Sequence, residues 1–236
     1  MKAAFQSLAG LSLGDALGER FLFAEPQELA RRVLPDGPWR YTDDTEMALS
    51  IVEMLQARKA IDQDRLATAF AIRYNPRRGY GTGAYQLLEA IGRNPTGYWR
   101  SLAPAMFAGR GSYGNGAAMR VAPLGAFFCD DFERAAEQAR LSAQVTHTHP
   151  EGIAGAIATS VAAAWMARQL PWNREAFWDI VLQFTPAGLT RQGIERARLL
   201  PLDLSGHEAG QILGNGHQIS AQDTGPFALW SASIEP

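Results

Sequence analysis

Cysteine is almost absent from this chain. Cys129 is the only one among 236 residues, so no intrachain disulfide can form. It follows Ala126, Phe127 and Phe128 and reads as a core thiol, since a reactive one needs an electropositive setting. A chain without disulfides fits a cytoplasmic location. Long apolar runs are missing too. The longest, Gly152 to Ala167, is alanine-rich and falls short of the ~20 residues of a membrane span. Gln6, Ser7 and Asp15 interrupt the N-terminal stretch, which does not read as a secretory signal. These features predict a soluble protein with no membrane partner. Charge is scarce: charged residues make up 19% and the net charge is −2. Without a basic excess, the charge argues against a nucleic-acid partner held mainly through phosphates. It does not argue against a small phosphate-bearing ligand, which needs only a local cluster of donors. Strand signals are confined to Gln218–Ala221, and no repeat or linker divides the chain. Residues 1–236 therefore read as a single domain.

What is present is helical periodicity in a sequence that is 47% hydrophobic. Met47, Ile51 and Leu55 recur at four-residue steps, as do Leu66, Phe70 and Tyr74. Ile153, Ile157 and Val161 do so among alanines and glycines that would let another helix approach closely. Further helices are expected over 2–18, 82–92, 117–128, 131–145, 173–184 and 188–199, with a last one over 226–233. The predicted class is all-α. Glycine-rich segments at 79–83, 109–116 and 214–216 punctuate the helices. Three motifs fall at helix entrances, where free N–H groups face anions and ligands.

Four motifs carry the candidate chemistry, and each also has a plain structural reading. In Tyr41-Thr42-Asp43-Asp44-Thr45, Thr42 suits an N-cap and the aspartates suit the first helical turn. The same oxygens suit a hard cation such as Mg²⁺, which would relieve the repulsion between adjacent carboxylates. In Gly14-Asp15-Ala16-Leu17-Gly18-Glu19, two glycines weaken a helix by roughly 1 kcal/mol each. Close packing or a nearby ligand would have to compensate. Gly111-Ser112-Tyr113-Gly114-Asn115-Gly116 contains an Asn-Gly turn, and the Ala117–Val121 run reads as a helix start. Its N–H groups, the Asn115 amide and the Tyr113 ring would then suit a nucleotide. In Thr146-His147-Thr148-His149-Pro150, Pro150 suits a first helical turn. Zinc would need companion ligands that His207 and His217 lack, so a histidine lining a pocket or capping a helix is expected.

In this order the motifs resemble the ADP-ribosylglycohydrolase family, from Gly10 to about Trp230. The resemblance rests on GDALGERF, YTDDTEMALS, PRRGYGTGA, GSYGNGAAMRVAPLG, THTHPEGIAGA and AQDTGPFALW. It implies an orthogonal helical bundle around a cleft with two Mg²⁺ ions, and hydrolysis of the C1″ glycosidic bond of ADP-ribosylated substrates. By resemblance Thr42, Asp43 and Asp44 are metal ligands. Ser112, Tyr113, Gly114, Asn115, Gly116 and Met119 hold ADP-ribose, with His147 near the distal ribose. Asp44 is a catalytic candidate, and Glu19 stands in for a glutamate that some relatives place nearer Leu22. Arg77 or Arg78 would pair with the pyrophosphate, in a loop where some relatives carry an acid. The partner implied is ADP-ribose, or an ADP-ribosylated protein or small molecule. The family's other metal ligands come from an Asp-x-Asp-Thr motif beyond the AQDT-like helix, and these 236 residues contain none. Asp223-Thr224 belongs to the preceding motif. The expectation is a C-terminally incomplete family domain with impaired hydrolysis, or alternatively a non-catalytic ADP-ribose binder. Asp15, Thr42, Asp43, Asn115 and His147 should converge on one cleft.

Overall fold

The computed structural model describes residues 1–22, 24, 27, 31, 33–34 and 36–234. Among them lie twelve α-helices and no strand: α1 (Lys2–Phe21), α2 (Asp43–Arg58), α3 (Gln63–Arg73), α4 (Thr82–Arg93), α5 (Trp99–Gly109), α6 (Ala122–Phe127), α7 (Phe132–Gln144), α8 (Pro150–Ala167), α9 (Arg174–Phe184), α10 (Leu189–Leu199), α11 (Gly206–Leu213) and α12 (Ala221–Ile234). The fold is all-α, as the periodicity predicts. No helix among the described residues is long and apolar enough to cross a membrane.

Helix starts follow local side-chain chemistry. Asp62, Asp131 and Asn173 accept hydrogen bonds from backbone N–H groups three residues on, and Ser205 with Glu208 forms a reciprocal capping box. His149 caps α8 by accepting from the Glu151 N–H, with Pro150 in the first turn. Helix α8 is the centre of the molecule and packs against α6, α7, α9 and α12. Its small residues make this possible. A Cβ at Gly155 would stand 2.8 Å from the Ala221 Cβ, and one at Gly125 of α6 would overlap the Ser160 carbonyl. Met47, Ile51, Leu55, Leu66 and Phe70 all enter the core.

Three expectations shift. The helix predicted over 117–128 splits into a 3₁₀ turn at Asn115–Ala117 and the short α6. Pro123 explains the second start, because its fixed φ and missing N–H suit only a first turn. The strand predicted at Gln218–Ala221 is a single antiparallel bridge between Gly114 and Ser220, after which α12 begins. Cys129 is half-buried rather than fully inside.

Candidate functional site

Two helices meet at the entrance of α2. Thr42 holds the cap position with extended backbone, yet its side chain does not cap the helix. Its hydroxyl donates to Asp15 Oδ1 of α1 at 2.6 Å. Asp15 Oδ2 accepts from the backbone N–H of Thr42 (2.8 Å) and of Thr45 (3.2 Å) and from the Thr45 hydroxyl (2.6 Å). The N–H of the cap residue and the orphan N–H of Thr45 in the first turn of α2 are thus satisfied by a carboxyl group from another helix. That role for Asp15 fixes where Asp43 and Asp44 stand.

Both of these aspartates are disfavoured as anions. Burial, then the Asp44 charge, pushes Asp43 up to about 7. Burial, then the Asp15 charge, pushes Asp44 up to about 6. A cation beside them would reverse both effects. Their oxygens, with the Thr42 hydroxyl 3.3 Å from Asp44 Oδ2, form the all-oxygen donor set that Mg²⁺ prefers. Among the described residues no three His, Cys, Asp or Glu side chains close on one point. These donors therefore fit part of a Mg²⁺ shell, and water or other protein oxygens would complete it.

Asp43 also faces a cavity of about 170 Å³. Its other walls include Met47, Gly83, Leu87 and Phe107, together with Ser112, Gly114, Asn115, Gly116, Met119, Arg120, Thr146, His147 and Ile219. Phe107 reaches the cavity because α5 ends abnormally. Phe107 and Ala108 both take left-handed backbone, with φ of 54° and 59°. The ring then lies against Gly83, where a Cβ would stand 2.8 Å from it.

The Gly111–Met119 loop is tied down rather than free. The Asn115 N–H donates to the Ile219 carbonyl at 3.2 Å, and the Ala221 N–H to the Tyr113 carbonyl at 2.9 Å. The Asn115 amide donates to Thr224 Oγ1 at 3.2 Å. Ile219, a β-branched residue at φ 53°, pairs its strained backbone with that loop. Asp223 turns inward and accepts from the Gln218 N–H at 2.8 Å.

The structure brings Asp43, Ser112, Gly114, Asn115, Gly116, Met119 and His147 to one cavity, with Thr42, Asp44 and Asp15 joined to it through the start of α2. Tyr113 lies outside the walls, half exposed, its ring edge-on to His149 at 5.5 Å. Glu19 is exposed on α1 and lies outside the walls as well. Arg78 is engaged within the chain. It donates to the Tyr41 carbonyl at 2.9 Å, covers the Tyr41 ring at 3.6 Å, and sits 3.8 Å from Glu46. Arg77 is exposed.

Sequence reasoning missed Glu46, Arg120 and Phe107. Glu46 is buried and accepts from the Asn75 N–H and the Tyr80 hydroxyl, both at 2.9 Å, which anchors the 75–80 loop beside Asp43. Arg120 carried a signal: a charge within the apolar run Ala117–Val121. Phe107 carried none, because its place depends on backbone angles.

Comparison with known proteins bears on the family of the chain. The family model described as ADP-ribosylglycohydrolase matches residues 2–234. ADP-ribosylhydrolase ARH3 of Xenopus tropicalis is 35% identical over 193 residues, 75% of this chain and 53% of the relative. The Homo sapiens protein of that name is 36% identical over 172 residues, covering 66% and 47%. ADP-ribosyl-[dinitrogen reductase] glycohydrolase of Rhodospirillum rubrum is 27% identical over 158 residues, covering 62% and 52%. The chain thus spans about half the length of these relatives. With the match running through nearly every described helix, the chain belongs to the ADP-ribosylglycohydrolase family.

Proposed function

We propose that this cavity binds the ADP-ribosyl group, and that the chain supplies the gripping part of a Mg²⁺-assisted hydrolase acting at the C1″ glycosidic bond. The carrying observation is the meeting of the Asp43–Asp44 pair with the Gly111–Met119 loop and His147 around one cavity. The names of the relatives support an ADP-ribosyl group as the part recognised, carried on a protein in the case of the dinitrogen reductase glycohydrolase. Ser112, Gly114, Asn115 and Gly116 offer hydroxyl, amide and close backbone contacts to ribose and phosphate oxygens. Phe107 and Tyr113, both half exposed, offer aromatic faces to a base.

Thr42, Asp43 and Asp44 would hold Mg²⁺, which when bound would polarise a water and grip ribose hydroxyls. Asp44 suits proton transfer near the sugar carbon only while no cation holds it, because its raised pKa belongs to the metal-free state. Glu19 would have to approach from outside the cavity walls to do the same. The second reading, a non-catalytic ADP-ribose binder, is favoured by one observation: among the described residues Asp43 is the only acid in those walls.

Calorimetric titration of the 236-residue protein with ADP-ribose tests the first step, and turnover of ADP-ribosylated arginine and serine peptides with and without Mg²⁺ tests the second. Binding without turnover selects the second reading. Absence of ADP-ribose binding at millimolar concentration would sink both.

A further inference from the structure

Arg120 is wholly buried, and among the described residues no carboxylate lies within ion-pair distance of it. It packs 4.5 Å from the centre of the Phe70 ring, and Nη1 points at Met47 Sδ at 3.4 Å. Nη2 donates to the Ser142 carbonyl and to Thr146 Oγ1, both at 2.9 Å. Thr146 Oγ1 in turn lies 2.7 Å from His147 Nδ1. The direction of each proton follows from the inventory of donors. A guanidinium only donates, so Thr146 accepts from it, and the single hydroxyl proton must go elsewhere. Nδ1 is the one acceptor recorded within hydrogen-bond distance of that hydroxyl among the described residues, which favours a bare Nδ1 and a ring proton on Nε2.

The other edge of the ring is open. His147 is 7% exposed, and its Nε2 has no hydrogen-bond partner among the described residues. Nε2 lies along the glycine loop at the cavity wall: a Cβ at Gly116 would stand 3.0 Å from it, and one at Gly114 3.3 Å. We propose that Arg120 and Thr146 are positioning residues that lock His147 in the Nε2-protonated neutral form. The cavity thereby gains a fixed donor for a hydroxyl or phosphate oxygen of its ligand. This rests on the cavity being the ligand site. Burial, and then the charge of Arg120, also pushes the His147 pKa down to about 3, so the ring stays neutral. Arg120 falls to about 9 through burial and remains charged at neutral pH. A ring that could change tautomer would present Nε2 as an acceptor part of the time and repel the same oxygen.

The test is nitrogen NMR of the histidine-labelled 236-residue protein at pH 7, with His147 identified among the four histidines by the signal lost in His147→Gln. The wild type should show a bare Nδ1 and a protonated Nε2. Thr146→Ser should keep that signature, and Thr146→Val should lose it and weaken ADP-ribose binding about tenfold, the value of one hydrogen bond. A proton on Nδ1 in the wild type, an even mixture of tautomers, or an unchanged signature in Thr146→Val would overturn the proposal. If Thr146→Val does not fold, the wild-type spectrum alone decides. A locked tautomer in a protein that binds no ADP-ribose would uphold the lock and remove the proposed ligand.

Discussion

Asp43 stands where burial, Asp44 and Asp15 all oppose its negative charge. Its folded pKa lies near 7 against an ordinary value of 3.8, so the folded state resists ionisation. The stabilising form is the protonated one. Its benefit is complete below about pH 4 and is lost as the pH rises through 7. Without metal, Asp43→Asn should therefore melt higher than wild type at pH 8 and alike at pH 4. The gain is on the order of 2 kcal/mol, discounted from the full shift because the cavity is open to water. Thermal melts in chelator at the two pH values check this, and a lower melting temperature for the variant at pH 8 would refute it. Mg²⁺ should raise the wild-type melting temperature more at pH 8 than at pH 5, where protons compete for the same oxygens. At the opposite wall, Asn115→Ala removes the amide that joins the loop to Thr224. It should weaken ADP-ribose binding roughly tenfold by calorimetry.

Close contact between elements explains which glycines the fold requires. Gly125→Ala would drive a methyl group into the Ser160 carbonyl where α6 meets α8, and should cost about 3 kcal/mol or more. Gly10 of α1 is the contrary case, since nothing among the described residues lies within 4 Å of the Cβ it would gain. Gly10→Ala should stabilise the 236-residue protein by about 0.5–1 kcal/mol through helix propensity alone. Denaturant melts of the two variants should move in opposite directions. Gly14 and Gly18 are equally open, so within these residues helix packing does not account for the glycine pair in the Asp15 motif. Helices were legible in the sequence wherever apolar residues recur every three or four positions, as in Met47-Ile51-Leu55. The cap by His149 was legible because Pro150 allows only a first turn. What stayed hidden was set by contacts distant in sequence. Thr42 looks like a local cap, yet its hydroxyl goes to Asp15, 27 residues away. The break at Val121 and the left-handed Phe107 depend on backbone geometry that periodicity does not encode.

On the proposed reading, binding and catalysis would draw on different groups across the whole molecule. The glycine loop, held to the 219–221 segment by backbone hydrogen bonds, is built before any ligand arrives, so little ordering remains to be done on binding. Turnover would instead depend on charge stabilisation around the sugar carbon, where these residues would offer Thr42, Asp43 and Asp44. Two Mg²⁺ ions would want about twelve oxygens between them, and much of that shell would be water. Loosely held ions stabilise a transition state poorly, whereas ground-state contacts to ribose and phosphate are unaffected. The 236-residue protein should therefore bind ADP-ribose while hydrolysing ADP-ribosyl peptides slowly. Asp44→Ala should leave binding within about twofold and change the residual rate little, whereas Asn115→Ala should weaken binding. Rates and affinities measured on the same preparations separate the possibilities. Strong Mg²⁺-dependent turnover that Asp44→Ala abolishes would mean that these residues assemble a complete metal centre. A slow rate with intact binding would place the limit at the metal shell rather than at recognition.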